Sequence, residues 1–266
     1  MAHRHRWTLP RLSRRVAAYA LLSAIAVVFL LPIAWTVSTS VKTQAGALAY
    51  PPQWIPETFH WDNYRTVFTF QPFGFQFFNS IYIAALVCLI TLVTASLAGY
   101  AFARLRFPGR NILFVLVLSA LFIPPEATII PLFRNSIAFG WYDTHLPLII
   151  FTSFSSTGTI ATFVMRQAFL TIPREYEEAA RIDGAGWIRT FFRVMLPMTR
   201  PSLAAVVVLS AWHSWNQFLE PLIFIRSAEK LTVPVALAQY VDPYSGPMFN
   251  IQSAGTTLSI VPLLIV

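Results

Sequence analysis

Apolar residues along this chain gather into six long runs separated by short polar or charged connections. The runs cover about Val16–Val37, Phe77–Phe102, Ile112–Phe133, Leu146–Phe169, Ser202–Ile225 and Ala254 to the end. Each of the first five is long enough, as a helix, to cross roughly 30 Å of hydrocarbon. The sixth holds 13 residues. As a helix it rises only about 20 Å, so the sequence predicts a chain that stops inside its last span, a truncated helix. Lipid offers no water to backbone N–H and C=O groups, so helices are the form such runs take. The pattern predicts an all-α, polytopic membrane helical bundle of about six transmembrane helices. Residues 1–15 form a basic N-terminal segment, and 16–266 form the transmembrane domain.

Composition agrees. Hydrophobic residues make up 56% of the chain and charged residues 11%, against roughly 25% charged in a soluble domain. The long first run has no small-residue cleavage site of the signal-peptide kind, so it reads as a retained span. The single cysteine, Cys88, lies inside an apolar run and reads as a packing residue. Lysine and arginine set the orientation. Segments 1–15, 103–110 and 166–200 hold 14 of the 19, and the alternate connections hold only Lys42, Arg65, Arg134, Arg226 and Lys230. This bias puts the N-terminus and the 166–200 connection in the cytoplasm. The net charge of +8 is thus a topogenic and lipid-surface signal. A nucleic-acid partner is not expected, because no soluble basic domain presents a patch.

One connection is unlike the others. Residues 171–200 form a charged island, too long for a tight turn and too short for a domain. Pro173 suits a helix start. Glu175, Glu177 and Glu178 follow where the helix dipole favours anions. Glu177 and Arg181 stand at i, i+4. Gly184 and Gly186 mark a break. A second short helix is expected from about Trp187 to Met195, and Pro197 and Pro201 punctuate the entry to the next span. The island reads as two short helices joined by an elbow at a membrane surface. The plain alternative is an amphipathic helix resting on lipid head groups.

The spacing favours the elbow. Glu178-Ala179-Ala180 is followed after three residues by Gly184, and after nine more by Val194, one residue, and Leu196-Pro197. This resembles the EAA loop of ABC-importer permeases, the membrane subunits of binding-protein-dependent transporters. The family pattern has Ile where Val194 stands; every other position fits. Further words are similar to the carbohydrate-uptake branch (maltose, glycerol-phosphate and sugar type). They include Asn63-Tyr64-Arg65, Asn79-Ser80, Ala101-Phe-Ala-Arg-Leu-Arg-Phe-Pro-Gly-Arg110, Ile182-Asp183-Gly184-Ala185 and Ser214-Trp215-Asn216-Gln217-Phe218.

The resemblance implies a type I ABC importer permease fold and an inner-membrane subunit that carries a sugar or sugar derivative. Its implied partners are a second homologous permease, two ATPase subunits, an extracytoplasmic solute-binding protein and membrane lipid. In it, Glu178 is the polar contact with the ATPase, Ala179 and Ala180 allow close approach, and Gly184 is the elbow. Asp183, Leu196 and Pro197 complete the coupling set. The residues agree on the division of labour. A phosphate-binding loop needs G-x-x-x-x-G-K-[ST]. The only lysines are Lys42 and Lys230, and neither follows a glycine. No cofactor and no metal is expected on this chain, so ATP and Mg²⁺ belong to partner subunits.

Candidate substrate contacts are Trp215, which offers a stacking face, with Asn216, Gln217, Glu220 and Glu126 as hydrogen-bonding groups. Polar side chains in a span tend to face the bundle interior. Asn216 and Gln217 read equally well as bonds between helices, and His213 reads as a packed histidine. The hydroxyl-rich run Thr152–Thr159 reads as a packing seam. The loop of residues 226–253, with Tyr240, Asp242 and Tyr244, is the candidate contact for the binding protein. Two other classes stand beside the importer. An ion-coupled secondary transporter would use Glu126, His213 or Glu220 as a relay. A membrane enzyme would need an acidic pair or a nucleophile–base set, and the chain offers no catalytic residue of that kind.

Overall fold

A computed structural model describes residues 9–244 and 246–265. Residues 1–8 of the basic N-terminal segment lie outside the described residues. The elements in order are α1 (Leu9–Ser40), α2 (Gln44–Ala47), α3 (Asp62–Phe70), α4 (Phe73–Arg104), α5 (Arg110–Ser119), α6 (Pro125–Ala138), α7 (Leu146–Ser153), α8 (Ser156–Thr171) and α9 (Glu175–Ile182). After these come α10 (Trp187–Thr190), a π-helical turn (Phe191–Met195), α11 (Leu196–Met198), α12 (Arg200–Trp215), α13 (Leu219–Phe224) and α14 (Val233–Ala238). A two-stranded hairpin, β1 (Val241–Asp242) and β2 (Gly246–Pro247), precedes α15 (Phe249–Ile265).

The chain divides into two compact units. One is built from residues up to 67 together with 240–258, the other from 68–239 with the residues after 258. In the first unit the connection after α1 is ordered by buried polar bonds. Asn63 donates to the Ser40 and Lys42 carbonyls, both at 2.8 Å, and accepts from Asn250 at 3.1 Å. The Lys42 ammonium is buried, stands 3.9 Å above the Trp35 ring and donates to the Gln53 carbonyl. A buried cation is tolerated only with such partners.

The second unit is organised around α4, which packs against α7, α8 and α12. The α4–α8 crossing is close because Gly99 has no side chain there. A Cβ on Gly99 would lie 2.7 Å from the Met165 Cβ and 2.8 Å from the Arg166 nitrogen. Gly99→Leu is therefore expected to cost at least 1–3 kcal/mol through overpacking. A lowered thermal midpoint of the purified chain checks this, and an unchanged midpoint contradicts the crossing.

Among the described residues, three helical segments are each long and apolar enough to cross a membrane: Ser13–Ser40, Phe73–Arg104 and Leu146–Thr171. The expected third span is not straight. Helices Arg110–Phe122 and Pro125–Ala138 meet at 99°. Ile123 precedes Pro124 and Pro125 and takes an extended conformation, as pre-proline residues do, and Pro125 opens α6 without an N–H to satisfy. The fourth run is interrupted at Phe154–Ser155, between α7 and α8, and the fifth at 216–218, between α12 and α13. The last helix begins at Phe249 rather than near Ala254.

Candidate functional site

Helix α9 presents two unlike faces. Glu177 and Ala180, three residues apart, turn inward, while Glu178, Ala179, Ile182 and Asp183 are exposed. Ala180 therefore allows α9 to approach its own bundle, and Ala179 is left on the outer face. Gly184 ends the helix at φ +79°. The Ala185 N–H bonds to the Ala180 carbonyl at 2.9 Å and the Gly184 N–H to Arg181 at 3.0 Å. That pair of bonds is a Schellman cap, which needs the left-handed residue. The Arg181 guanidinium lies 4.3 Å from the Trp187 ring centroid and bridges the elbow from α9 to α10.

The elbow is fastened to the bundle at two points. The first is Arg104, in the last turn of α4. It pairs with Glu177 at 3.4 Å, and both side chains are buried. Its Nη2 also donates to the carbonyls of Phe169 and Ile172 at the end of α8. A cation there satisfies carbonyls that the helix end leaves free, and it complements the dipole. The second is the π-helical turn. Phe191 and Met195 enter a buried cluster with Tyr100, Phe169 and Val206, and the Tyr100 and Phe191 rings stand 5.1 Å apart. Leu196 packs against the same cluster, and Pro197 sits in the first turn of α11. From there the loop helix meets α12 at 78°. The exposed outer face, by contrast, carries Ile182 at 86% and Ile188 at 77% exposure. The elbow thus offers an apolar and acidic surface outward while its inner face is clamped.

A cavity of about 330 Å³ lies where the broken helices meet. Its lining includes Pro125 and Thr128 of α6, Thr152 beside the α7–α8 break, Ser155 within it, His213 of α12 and Glu220 of α13. Of the five residues read from sequence as substrate contacts, only Glu220 lines it. Trp215 is buried, with its ring edge-on to Phe77 at 5.9 Å. Gln217 is buried and donates to the Thr152 hydroxyl. Asn216 bonds back to the Trp212 carbonyl at 2.8 Å. Glu126 is exposed in the first turn of α6. His213, read as a packed histidine, lines the cavity, and so do Thr152, Ser155 and Ser156 of the hydroxyl run, whereas Ser153, Thr157 and Thr159 are buried as the packing seam has them.

At the other end of the α7–α8 span, Asp143 ties two corners. It accepts from the Arg226 and Ser227 amides at 2.9 Å, the Ser227 hydroxyl at 2.6 Å and the Lys230 ammonium at 3.1 Å. Burial alone would raise its pKa, but these donors outweigh burial and hold the carboxyl below the usual carboxylate range. A depressed folded value gives stability that is full above the unfolded value of about 4 and is lost as pH falls through the folded one. The corner is thus firm at neutral pH and loosens only in strong acid. Asp143→Asn keeps the shape and tolerates the φ of 56°. It is expected to speed amide exchange in residues 225–231 at pH 7, where the parent chain stays protected.

In the turn between the hairpin strands, Tyr244 is fully open at 99% exposure, and Asp242 accepts from its amide at 2.9 Å. Tyr240, read with them as a surface contact, is instead buried. Its hydroxyl donates to the Val67 carbonyl at 2.8 Å.

Comparison with known proteins bears on this arrangement. Residues 92–266 match the family described as binding-protein-dependent transport system inner membrane component. The arabinooligosaccharides transport system permease protein AraQ of Halalkalibacterium halodurans is 39% identical over 211 residues, 79% of this chain and 74% of that protein. The diacetylchitobiose uptake system permease protein NgcG of Streptomyces coelicolor is 32% identical over 260 residues, 95% of this chain and 84% of that protein. Among solved structures, a chain of a bacterial ABC transporter involved in the import of the acidic polysaccharide alginate shares the fold. Its TM-score is 0.81 at 23% identity, covering 98% of this chain and 96% of that one.

Proposed function

This chain belongs to the family of binding-protein-dependent transport system inner membrane components, and we propose that it serves the sugar-import branch of that family. It is a transport permease subunit and not an enzyme. Its substrate is an oligosaccharide or other sugar derivative delivered by a solute-binding protein outside the membrane. A second permease completes the translocation path, and two ATPase subunits holding ATP and Mg²⁺ supply the energy. The names of the relatives above support the sugar class. The positive-inside bias supports a cytoplasmic N-terminus and a cytoplasmic elbow. The ion-coupled alternative gains nothing, because Glu126 is exposed away from the cavity that His213 and Glu220 share.

The observation that carries the proposal is the two-sided elbow. The outer face of α9, with Glu178 and Ala179, docks in a groove of an ATPase subunit. The inner face passes the motion through Arg104 and Phe191 to α4 and α8. Closure of the ATPase pair then rocks the bundle between inward- and outward-facing states. ATP and the loaded binding protein shift that equilibrium only by binding one state more tightly. The hydroxyls, His213 and Glu220 around the cavity suit a polyhydroxylated solute. Tyr244 and Asp242 on the hairpin are the candidate contacts for the binding protein.

Glu178→Ala tests the proposal. The variant should insert and fold normally, lose co-purification with the ATPase subunits and lose uptake of the sugar. Undiminished co-purification together with undiminished uptake would refute the docking role.

A further inference from the structure

The short turn from α4 to α5 and the first turn of α5 bring Arg106 and Arg110 beside Arg174, the residue that precedes α9. Arg106, Arg110 and Arg174 line one surface cavity there with Phe107, Asn111 and Ile112 and no carboxylate, while Arg106 and Arg174 also border the adjoining cavity that holds Glu177 and Glu178. Among the described residues the ion pairs involve Arg104, Arg181 and Lys230. The three cavity arginines have no acidic partner within that reach. Arg110 spends part of its donor set on the Leu105 carbonyl at 3.2 Å and on Asn111 at 3.4 Å. Arg106 and Arg174 are exposed, and neither side chain makes a hydrogen bond within the described chain. Three like charges around one cavity repel each other unless an anion sits among them. The guanidinium fork is the group best shaped for phosphate oxygens.

The surroundings select the kind of anion. The turn joins two membrane helices, one ending at Arg104 and the other starting at Arg110, so it lies at the edge of the hydrocarbon layer. Just beyond the arginines, α5 exposes Ile112 (69%), Val115 (62%) and Leu116 (60%) on one stripe. A free anion would use the charges alone. A phospholipid would use both parts, with its phosphate among the arginines and its acyl chain along Ile112 and Leu116. We infer that this cavity is a binding site for the phosphate head group of an anionic phospholipid. The assignment of that leaflet as cytoplasmic rests on the proposed orientation, and the site itself does not.

The test uses the full chain, purified with its partner subunits and placed in nanodiscs of phosphatidylglycerol mixed with phosphatidylcholine. Retained lipid is counted by native mass spectrometry. Nanodiscs expose both membrane faces, so the readout is independent of orientation and of transport. The parent should retain phosphatidylglycerol in preference to phosphatidylcholine. Arg106→Gln, Arg110→Gln and Arg174→Gln should each lower that preference by roughly fivefold, the usual worth of one basic residue at an anionic surface. The triple Arg→Lys variant keeps the charge and guards against misfolding, so it should keep a preference. A triple Gln variant that retains phosphatidylglycerol as the parent does would overturn the inference. Displacement of the lipid by millimolar inorganic phosphate would also overturn it and mark a simple anion site.

Discussion

Arg104→Ala is expected to destabilise the folded permease by about 3–5 kcal/mol, the cost of stranding a buried charge. The partner left behind is Glu177, and the two side chains are only 5% and 7% exposed in the intact pair. The same change strips the donors from the Phe169 and Ile172 carbonyls at the end of α8. A lowered thermal midpoint measures the loss. The double variant Arg104→Ala/Glu177→Ala should lose less than the two single losses added, because no unpaired carboxylate remains. A coupling energy of about 0.5–3 kcal/mol is the expected size for neighbours in one network. Strict additivity would mean that α9 is not held by this pair.

Gly184→Val should abolish coupled transport while leaving the spans folded. Non-glycine residues pay roughly 1–2 kcal/mol in the left-handed region, and a β-branched residue is the least suited to it. A Cβ at Gly184 would meet nothing within 4 Å. The penalty therefore falls on the backbone bend and not on packing. Each 1.4 kcal/mol is a factor of about ten in population, so the bent elbow loses roughly five- to thirtyfold against unbent alternatives. Gly184→Asn should retain most activity, because Asn visits this region more readily. Substrate-stimulated ATP hydrolysis in proteoliposomes ranks the three. Equal activity of the Val and Asn variants would show that the positive φ does no work.

Much of this architecture is legible in the sequence because membrane helices and punctuated loops write themselves plainly. Pro173, the three early glutamates and Gly184 mark the ends of α9, and the structure closes within a residue or so of those marks. Pro124-Pro125 marks a break, but proline says nothing of its angle, which packing sets at 99°. The interruptions at Phe154–Ser155 and 216–218 carry no proline or glycine and escape a reading by run length alone. The inward clamp is hidden for another reason. Arg104 belongs to a basic segment whose charges look topogenic, and its contact with Glu177 joins residues far apart in the chain. Pairing across such a distance leaves no periodic trace. Tyr240 and Trp215 show the limit of assigning aromatic residues from sequence. Each joins an apolar body to a polar tip, suits either an open surface or an interior, and is in fact buried.

The most direct measurement is the accessibility of the elbow's outer face. An Ile182→Cys chain in a Cys88→Ser background, with Glu178 intact and the probe site exposed on the same face, would be treated with a membrane-impermeant maleimide in right-side-out and in inverted vesicles. The account predicts labelling in inverted vesicles stripped of ATPase subunits, and protection when those subunits are added back. Labelling in right-side-out vesicles, or labelling that the ATPase subunits leave unchanged, would contradict it.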